Sequence, residues 1–202
     1  MSIMDAIIET PEQIRARILE AAQRRFEQFG FNKTTMAEVA QDCKMSAANL
    51  YRYFENKQDI GAQLACRCLG EEEAILREVV SRREQSAAAR LRAFVLEMLH
   101  RTYQTWSERP RIDEMVEAIC KERTDVIEQH RAAKRRLLVA LLAEGNASGE
   151  FDVPDPAKAA DGILTATVMF DVPLFMHMSP LADFEQHAQN LSELVLRGLL
   201  KH

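Results

Sequence analysis

Nowhere in these 202 residues is there an apolar run long enough to cross a bilayer. The longest, Ile163 to Met178, is too short and is interrupted by Asp171 and Pro173. Met1-Ser2-Ile3-Met4 leads to Asp5 and Glu9 rather than to a basic start and an apolar stretch, so no secretory signal is read and a cytoplasmic chain is expected. Residues 1–9 are expected to form a frayed arm. Glycine and proline are scarce and fall between periodic segments, and the alternation that marks strands is absent, which points to an all-helical protein. The four cysteines, Cys43, Cys66, Cys68 and Cys120, make no disulfide framework for a chain of this length. Cys66 and Cys68 lie two apart and would point to different faces of a helix. His100, His130 and His177 are scattered, with no His-x-x-x-His pair, so neither a metal nor a cofactor is expected. There is no Gly-x-Ser-x-Gly, no Walker loop and no dinucleotide fingerprint, and no enzyme is expected.

What is there is charge of both signs and a long series of helical stripes. The net charge of -5 argues against general binding to polyanions. Its distribution matters more. From Pro11 to Gln58 there are eight Lys/Arg against six Asp/Glu, a balance of +2, and the rest of the chain carries the negative excess. A mildly basic head on an acidic body fits a protein that touches nucleic acid at one end.

The chain is organised around Thr34 to Lys57. Thr35 with Glu38 has the capping-box spacing, and Ala37, Val39 and Ala40 give the helix that follows a small apolar face. Cys43-Lys44-Met45 reads as a tight turn. Ser46 can cap a second short helix on which Leu50 and Phe54 face inward together. Tyr51 and Tyr53 are amphipathic, and Arg52 and Lys57 are cations, a set that suits phosphate contact. Asn49 or Arg52 could read base edges, while Ala47 and Ala48 could touch a thymine methyl. Before this unit, Thr10-Pro11-Glu12-Gln13 starts a helix with Ile14, Ile18, Ala22, Phe26 and Phe29 at helical spacing and Arg15, Arg24 and Arg25 on its wet face.

Gly30-Phe31, Thr34-Thr35, Glu38-Val39-Ala40 and the run Asn49-Leu50-Tyr51-Arg52-Tyr53-Phe54-Glu55-Asn56-Lys57 resemble the DNA-binding domain of TetR-family transcriptional regulators. The resemblance covers about Thr10 to Leu69. It departs from the family at Lys44 and Ala48, where glycine is usual. The resemblance implies an all-α fold of about nine helices. Residues 10–58 would form a three-helix DNA-binding domain with a helix-turn-helix, and residues 59–202 a helical ligand-binding and dimerisation domain. By the same resemblance Thr34, Thr35, Lys44, Ser46, Ala47, Ala48, Asn49, Tyr51, Arg52, Tyr53 and Lys57 would meet double-stranded DNA at a palindromic operator.

Later stripes divide the body. Asn56 can cap a long fourth helix bearing Ile60, Leu64, Cys68, Ile75 and Val79, which in the family joins head to body. A fifth helix ends at Glu108-Arg109-Pro110, a short sixth carries Ile112, Met115, Val116 and Ile119, and a seventh, Thr124 to Glu144, buries Ile127, Leu137, Leu138, Leu141 and Leu142. An eighth runs from Asp155-Pro156 through Phe170 and a ninth starts at Ser179-Pro180. Phe94, Met98, Tyr103, Trp106, Met115, Ile119, Met169 and Phe170 offer aromatic and thioether surface for an apolar or aromatic small molecule, with Thr102 and His177 to orient a polar end. In the family the last two helices pair with a partner's copies, which places Ala159, Gly162, Ile163, Ala166, Leu191, Leu194 and Val195 at a homodimer interface. The reading is a DNA-binding regulator, a repressor released by a small-molecule effector. The alternative is a helix-turn-helix protein whose body binds a protein partner.

Overall fold

The computed structural model describes residues 9–200, so the N-terminal arm expected over residues 1–9 lies almost wholly outside the described residues. Helix α1 (Pro11–Phe29) begins as its sequence dictates: the Thr10 hydroxyl accepts from the Gln13 N–H while the Gln13 side chain accepts from the Thr10 N–H. Helix α2 (Met36–Asp42) repeats the device with Thr35 and Glu38. Helix α3 (Ala47–Leu50) is capped by Ser46, whose hydroxyl accepts from the Asn49 N–H at 3.1 Å. It is one turn long; tighter turns carry the chain through Tyr53, whose N–H bonds the Leu50 carbonyl.

Asn56 caps α4 (Lys57–Ser81), the longest helix, and Ser86 caps α5 (Ala87–Glu108). Pro110 opens α6 (Pro110–Glu122), and α7 (Thr124–Ala147) runs on into the glycine-flanked segment expected to end it. The expected eighth helix is divided in two, α8 (Pro156–Ala166) and α9 (Val168–Asp171). At the break the Thr167 hydroxyl donates to the Ile163 carbonyl at 2.8 Å, competing with the helix's own bonding. A 3-10 helix, Pro173–Met178, and α10 (Leu181–Leu199) complete the chain. There are thus ten α-helices and a 3-10 helix among the described residues, against nine helices expected. The break within the expected eighth helix and the added 3-10 helix account for the difference. No strand occurs among the described residues; an isolated antiparallel bridge pairs Phe151 with Leu200.

Two apolar cores form. The first joins Ile18 and Phe26 of α1, Val39 of α2, Leu50 of α3, Phe54, and Ile60 and Leu64 of α4. It also takes in Ile112, Met115 and Ile119 of α6, which the sequence reading had placed in the body. The second joins Leu76 and Val79 of α4 to α5, α7, α8, α9 and α10, with Phe94, Leu138, Phe170, Phe184 and Leu196 at its centre. Helix α4 therefore contributes to both cores, through its first turns to one and its last turns to the other. Ile127, expected in the body core, is 47 % exposed.

Candidate nucleic-acid interface

The head presents α3 on a rigid base. Leu50 and Phe54 are fully buried, and they fix the rotation of the Ala47–Phe54 segment. Arg15 of α1 supports the same segment from behind. Its guanidinium donates to the Tyr53 carbonyl at 2.6 Å and lies over the Phe54 ring at 4.5 Å. Arg17 donates to the Cys43 carbonyl at 2.7 Å, closing the end of α2. Arg25 pairs with Asp42, and the Arg25–Asp42 hydrogen bond holds the Asp42 carboxyl below its usual range. Of the cations expected on the wet face of α1, Arg15 and Arg25 thus bind the head's own turns.

The turn between α2 and α3 follows from Lys44, whose φ of +54° is in the left-handed region that favours glycine. This geometry lets the Lys44 N–H reach the Gln41 carbonyl and the Met45 N–H reach the Ala40 carbonyl, both at 3.0 Å, so the end of α2 is satisfied.

With that base set, the outward side chains can be placed. Tyr51 is 53 % exposed, Arg52, Lys44, Ser46 and Ala48 are exposed, and Ala47, Asn49 and Tyr53 are half-buried. Thr35 is exposed, its hydroxyl engaged with Glu38. Two residues face differently from the rest. Thr34 is buried and its hydroxyl donates to the Gly30 carbonyl at 2.9 Å, so it shapes the α1–α2 loop instead of presenting a polar group outward. Lys57 donates to the Phe31 carbonyl at 2.8 Å and sits over the Phe31 ring, and its burial lowers the ammonium's pKa. It fastens the start of α4 to the loop after α1.

The residues expected around a ligand do not converge. Phe94, Met98, Thr102 and Phe170 are buried in the body core, with Tyr103 and Trp106 packed edge-to-face at its margin. Met115 and Ile119 belong to the head core, while Met169 and His177 face solvent. Two things separate them, the packing of α6 into the head core and the break at Thr167. The Thr167 break turns α9 so that Phe170 enters the core against Phe184, which leaves Met169 outside. Of the residues expected at a dimer interface, Gly162, Ala166 and Leu194 are exposed, Ala159, Leu191 and Val195 are half-buried, and Ile163 lies in the core.

The structure also assembles a group the sequence keeps apart. Lys134 of α7 is 1 % exposed, and its ammonium lies 2.5 Å from Asp171 of α9 and 3.5 Å from Glu72 of α4. One turn away on α7, His130 bonds Glu73 at 2.8 Å through Nδ1 and faces Glu72 at 3.6 Å through Nε2. Burial alone would lower the pKa of both Lys134 and His130, but the neighbouring carboxylates outweigh it and raise both. Burial would likewise raise Glu72, but Lys134 and His130 hold it down. The available signal was His130 and Lys134 spaced i, i+4 on a helix otherwise apolar on that side.

A capped helix, a left-handed turn and a one-turn helix continued by tight turns that carry outward Tyr51 and Arg52 define a helix-turn-helix DNA-binding module. Residues 18–64 match the model of bacterial regulatory proteins of the tetR family, and residues 87–192 match that of the tetracyclin repressor-like C-terminal domain. The chain belongs to the TetR family of transcriptional regulators, which are not enzymes. It is 28 % identical over 144 residues to the HTH-type transcriptional regulator UidR of Escherichia coli K12, covering 71 % of this chain and 57 % of that relative, so the match spans little more than half the relative's length. It is 24 % identical over 192 residues to the HTH-type regulator YhgD of Bacillus subtilis, covering 91 % of each. Among solved structures, a TetR-family regulator from Mesorhizobium loti superposes with a TM-score of 0.73 at 16 % identity, over 96 % of this chain and 100 % of that one. The regulator FadR of Bacillus subtilis, solved with stearoyl-CoA, superposes at 0.58 with 18 % identity over 91 % and 98 %. No helix among the described residues is long and apolar enough to cross a membrane.

Proposed function

We propose that this regulator is a cytoplasmic homodimer that represses transcription from a palindromic operator and is released by a small apolar or aromatic effector. Residues 10–58 read the DNA and residues 59–202 hold the effector and the dimer contact. The observation that carries the reading is the outward presentation of Tyr51 and Arg52 on a segment whose inner residues, Leu50 and Phe54, are fully buried. Tyr51, Tyr53 and Thr35 meet phosphates, and Arg52 and Asn49 reach base edges. Two copies related by a two-fold axis place their α3 segments about one DNA turn apart.

Release is a population shift. The effector favours a body conformation in which the two α4 helices hold the heads at the wrong spacing. The participation of α4 in both cores supports this route, and the stearoyl-CoA held by FadR supports an effector role for a body of this fold. The dispersal of the expected pocket residues favours a second reading, in which the body binds a protein partner and no inducer exists.

Selection from a random DNA pool, run in parallel on Tyr51→Ala, tests the first claim. An enriched palindrome lost in the variant is expected; enrichment indifferent to Tyr51 would sink the assignment of the reading face. Titration of candidate effectors against operator affinity then separates inducer from partner.

A further inference from the structure

We propose that Glu72, His130 and Asp171 form a binding site for a divalent transition-metal ion such as Zn²⁺, with the Lys134 ammonium standing at the cation position when the ion is away. One donor atom from each of the three side chains lies within 4.8 Å of the others, and the three come from α4, α7 and α9. One imidazole with two carboxylates is a donor set for Zn²⁺, Co²⁺ or Ni²⁺ rather than for a purely oxygen-ligated ion. Bound to one ion at about 2.1 Å each, the donors would sit roughly 3.0–3.5 Å apart.

Three independent observations support the site. The first is the histidine's orientation. Glu73 accepts from Nδ1 at 2.8 Å, which leaves Nε2 directed at Glu72. A carboxylate behind a histidine is the arrangement that fixes the tautomer and raises the ligand's basicity in metal sites. The second is charge. Glu72, Glu73 and Asp171 bring three carboxylates against two basic groups, the Lys134 ammonium and the His130 imidazole, in surroundings where Lys134 is 1 % exposed. Charge there must stay paired, and a dication that takes the place of the lysine ammonium and the His130 proton keeps that balance. The third is access. A cleft of about 370 Å³ between α4 and α7 is bordered by Glu73 and His130, so solvent reaches the outer side of the cluster. When the ion enters, Lys134 swings its flexible four-carbon stem away from Asp171 and Glu72.

The existence of the site does not depend on the regulatory reading; only its consequence for DNA does. An ion would draw Glu72 on α4 toward α7 and α9, and α4 begins in the head core.

The test uses metal-free full-length protein in equilibrium dialysis against Zn²⁺ and in Co²⁺ titration followed by absorption. One ion per chain is expected, without the strong thiolate charge-transfer band that Cys66 ligation would give. His130→Ala and Glu72→Gln should each weaken binding by about tenfold or more, and Glu73→Gln by a smaller factor. Lys134→Met should tighten binding by removing the competing cation, an effect a merely structural ion-pair cluster would not produce. Should Lys134→Met fold poorly, Glu73→Gln, which leaves Lys134 in place, carries the comparison. No stoichiometric ion, a thiolate band, or binding undiminished in His130→Ala would overturn the site. DNA selection on the same samples keeps the two ideas apart. A chain that binds the ion and selects no DNA would leave the site standing and remove the regulator reading; DNA selection without ion binding would do the reverse.

Discussion

Gly61 of α4 lies directly beneath Ile119 of α6, so close that a Cβ on Gly61 would fall 2.7 Å from Ile119 Cδ1 and 2.9 Å from the Phe31 ring. The absence of a side chain at Gly61 is what lets α6 join the head core. Gly61→Ala should therefore push Ile119 and Phe31 aside and cost about 0.5–2 kcal/mol, the overpacking outweighing the helix propensity that alanine regains, read as a lower urea midpoint. Pairing it with Ile119→Val should recover part of the loss. A fully additive double variant would mean that the two positions do not press on each other.

Lys44 gives a prediction with two opposite signs. Replacing it by glycine relieves the left-handed backbone at φ +54° and should raise stability by about 0.5–1 kcal/mol, net of the entropy glycine adds to the unfolded chain. If the exposed Lys44 beside α3 also meets a phosphate in each half-site, Lys44→Gly should flatten the salt dependence of the dimer's DNA affinity by about two units of slope. A more stable protein with an unchanged salt slope would keep the turn argument and remove Lys44 from the interface.

Leu194 is 68 % exposed on α10, one of the two helices on which the proposed dimer contact falls. Leu194→Glu should shift the protein toward monomer in sedimentation or light scattering while leaving the helical signal and melting of dilute protein nearly unchanged. A dimer that survives Leu194→Glu would place the contact elsewhere.

Asp113 of α6 sets a pH dependence. Burial, and then the charge of Glu117, pushes its carboxyl from 3.8 up to about 6. An acid with a raised folded-state value binds its proton more tightly when folded, so its contribution falls as pH rises from about 4 to about 6 and is level above that. Asp113→Asn should stabilise the protein at pH 7 by about 1–2 kcal/mol, a figure reduced from the full shift because the group is partly exposed. The same variant should be neutral near pH 3.5. A variant that loses stability at pH 7 would show that the charged carboxylate has a favourable partner.

Much of the head was legible because its signals are local. The Thr10–Gln13 and Thr35–Glu38 capping boxes, the Asn56 cap and the Cys43-Lys44-Met45 turn depend on neighbours within a few residues, and each is found where the sequence puts it. The stripe Ile112, Met115, Ile119 was equally visible, but a stripe says which face of a helix is buried and not against what. That is why α6 was assigned to the body. Thr34 and Thr35 look alike in sequence, and only the path of the α1–α2 loop turns one inward. The Glu72–His130–Asp171 cluster was hidden for the same reason, since no spacing rule links residues that meet only when three helices pack.

The participation of both α4 and α6 in the head core bears on how the head can move. A body joined to its head by a single rod can swing it in any direction. Anchored at two separate helices, the head loses most of those freedoms and keeps chiefly a rotation about the line through the two anchors. Whatever tips the balance in the body, the distance between two α3 segments in a dimer would then change along one coordinate, so the switch would have a defined direction as well as two ends.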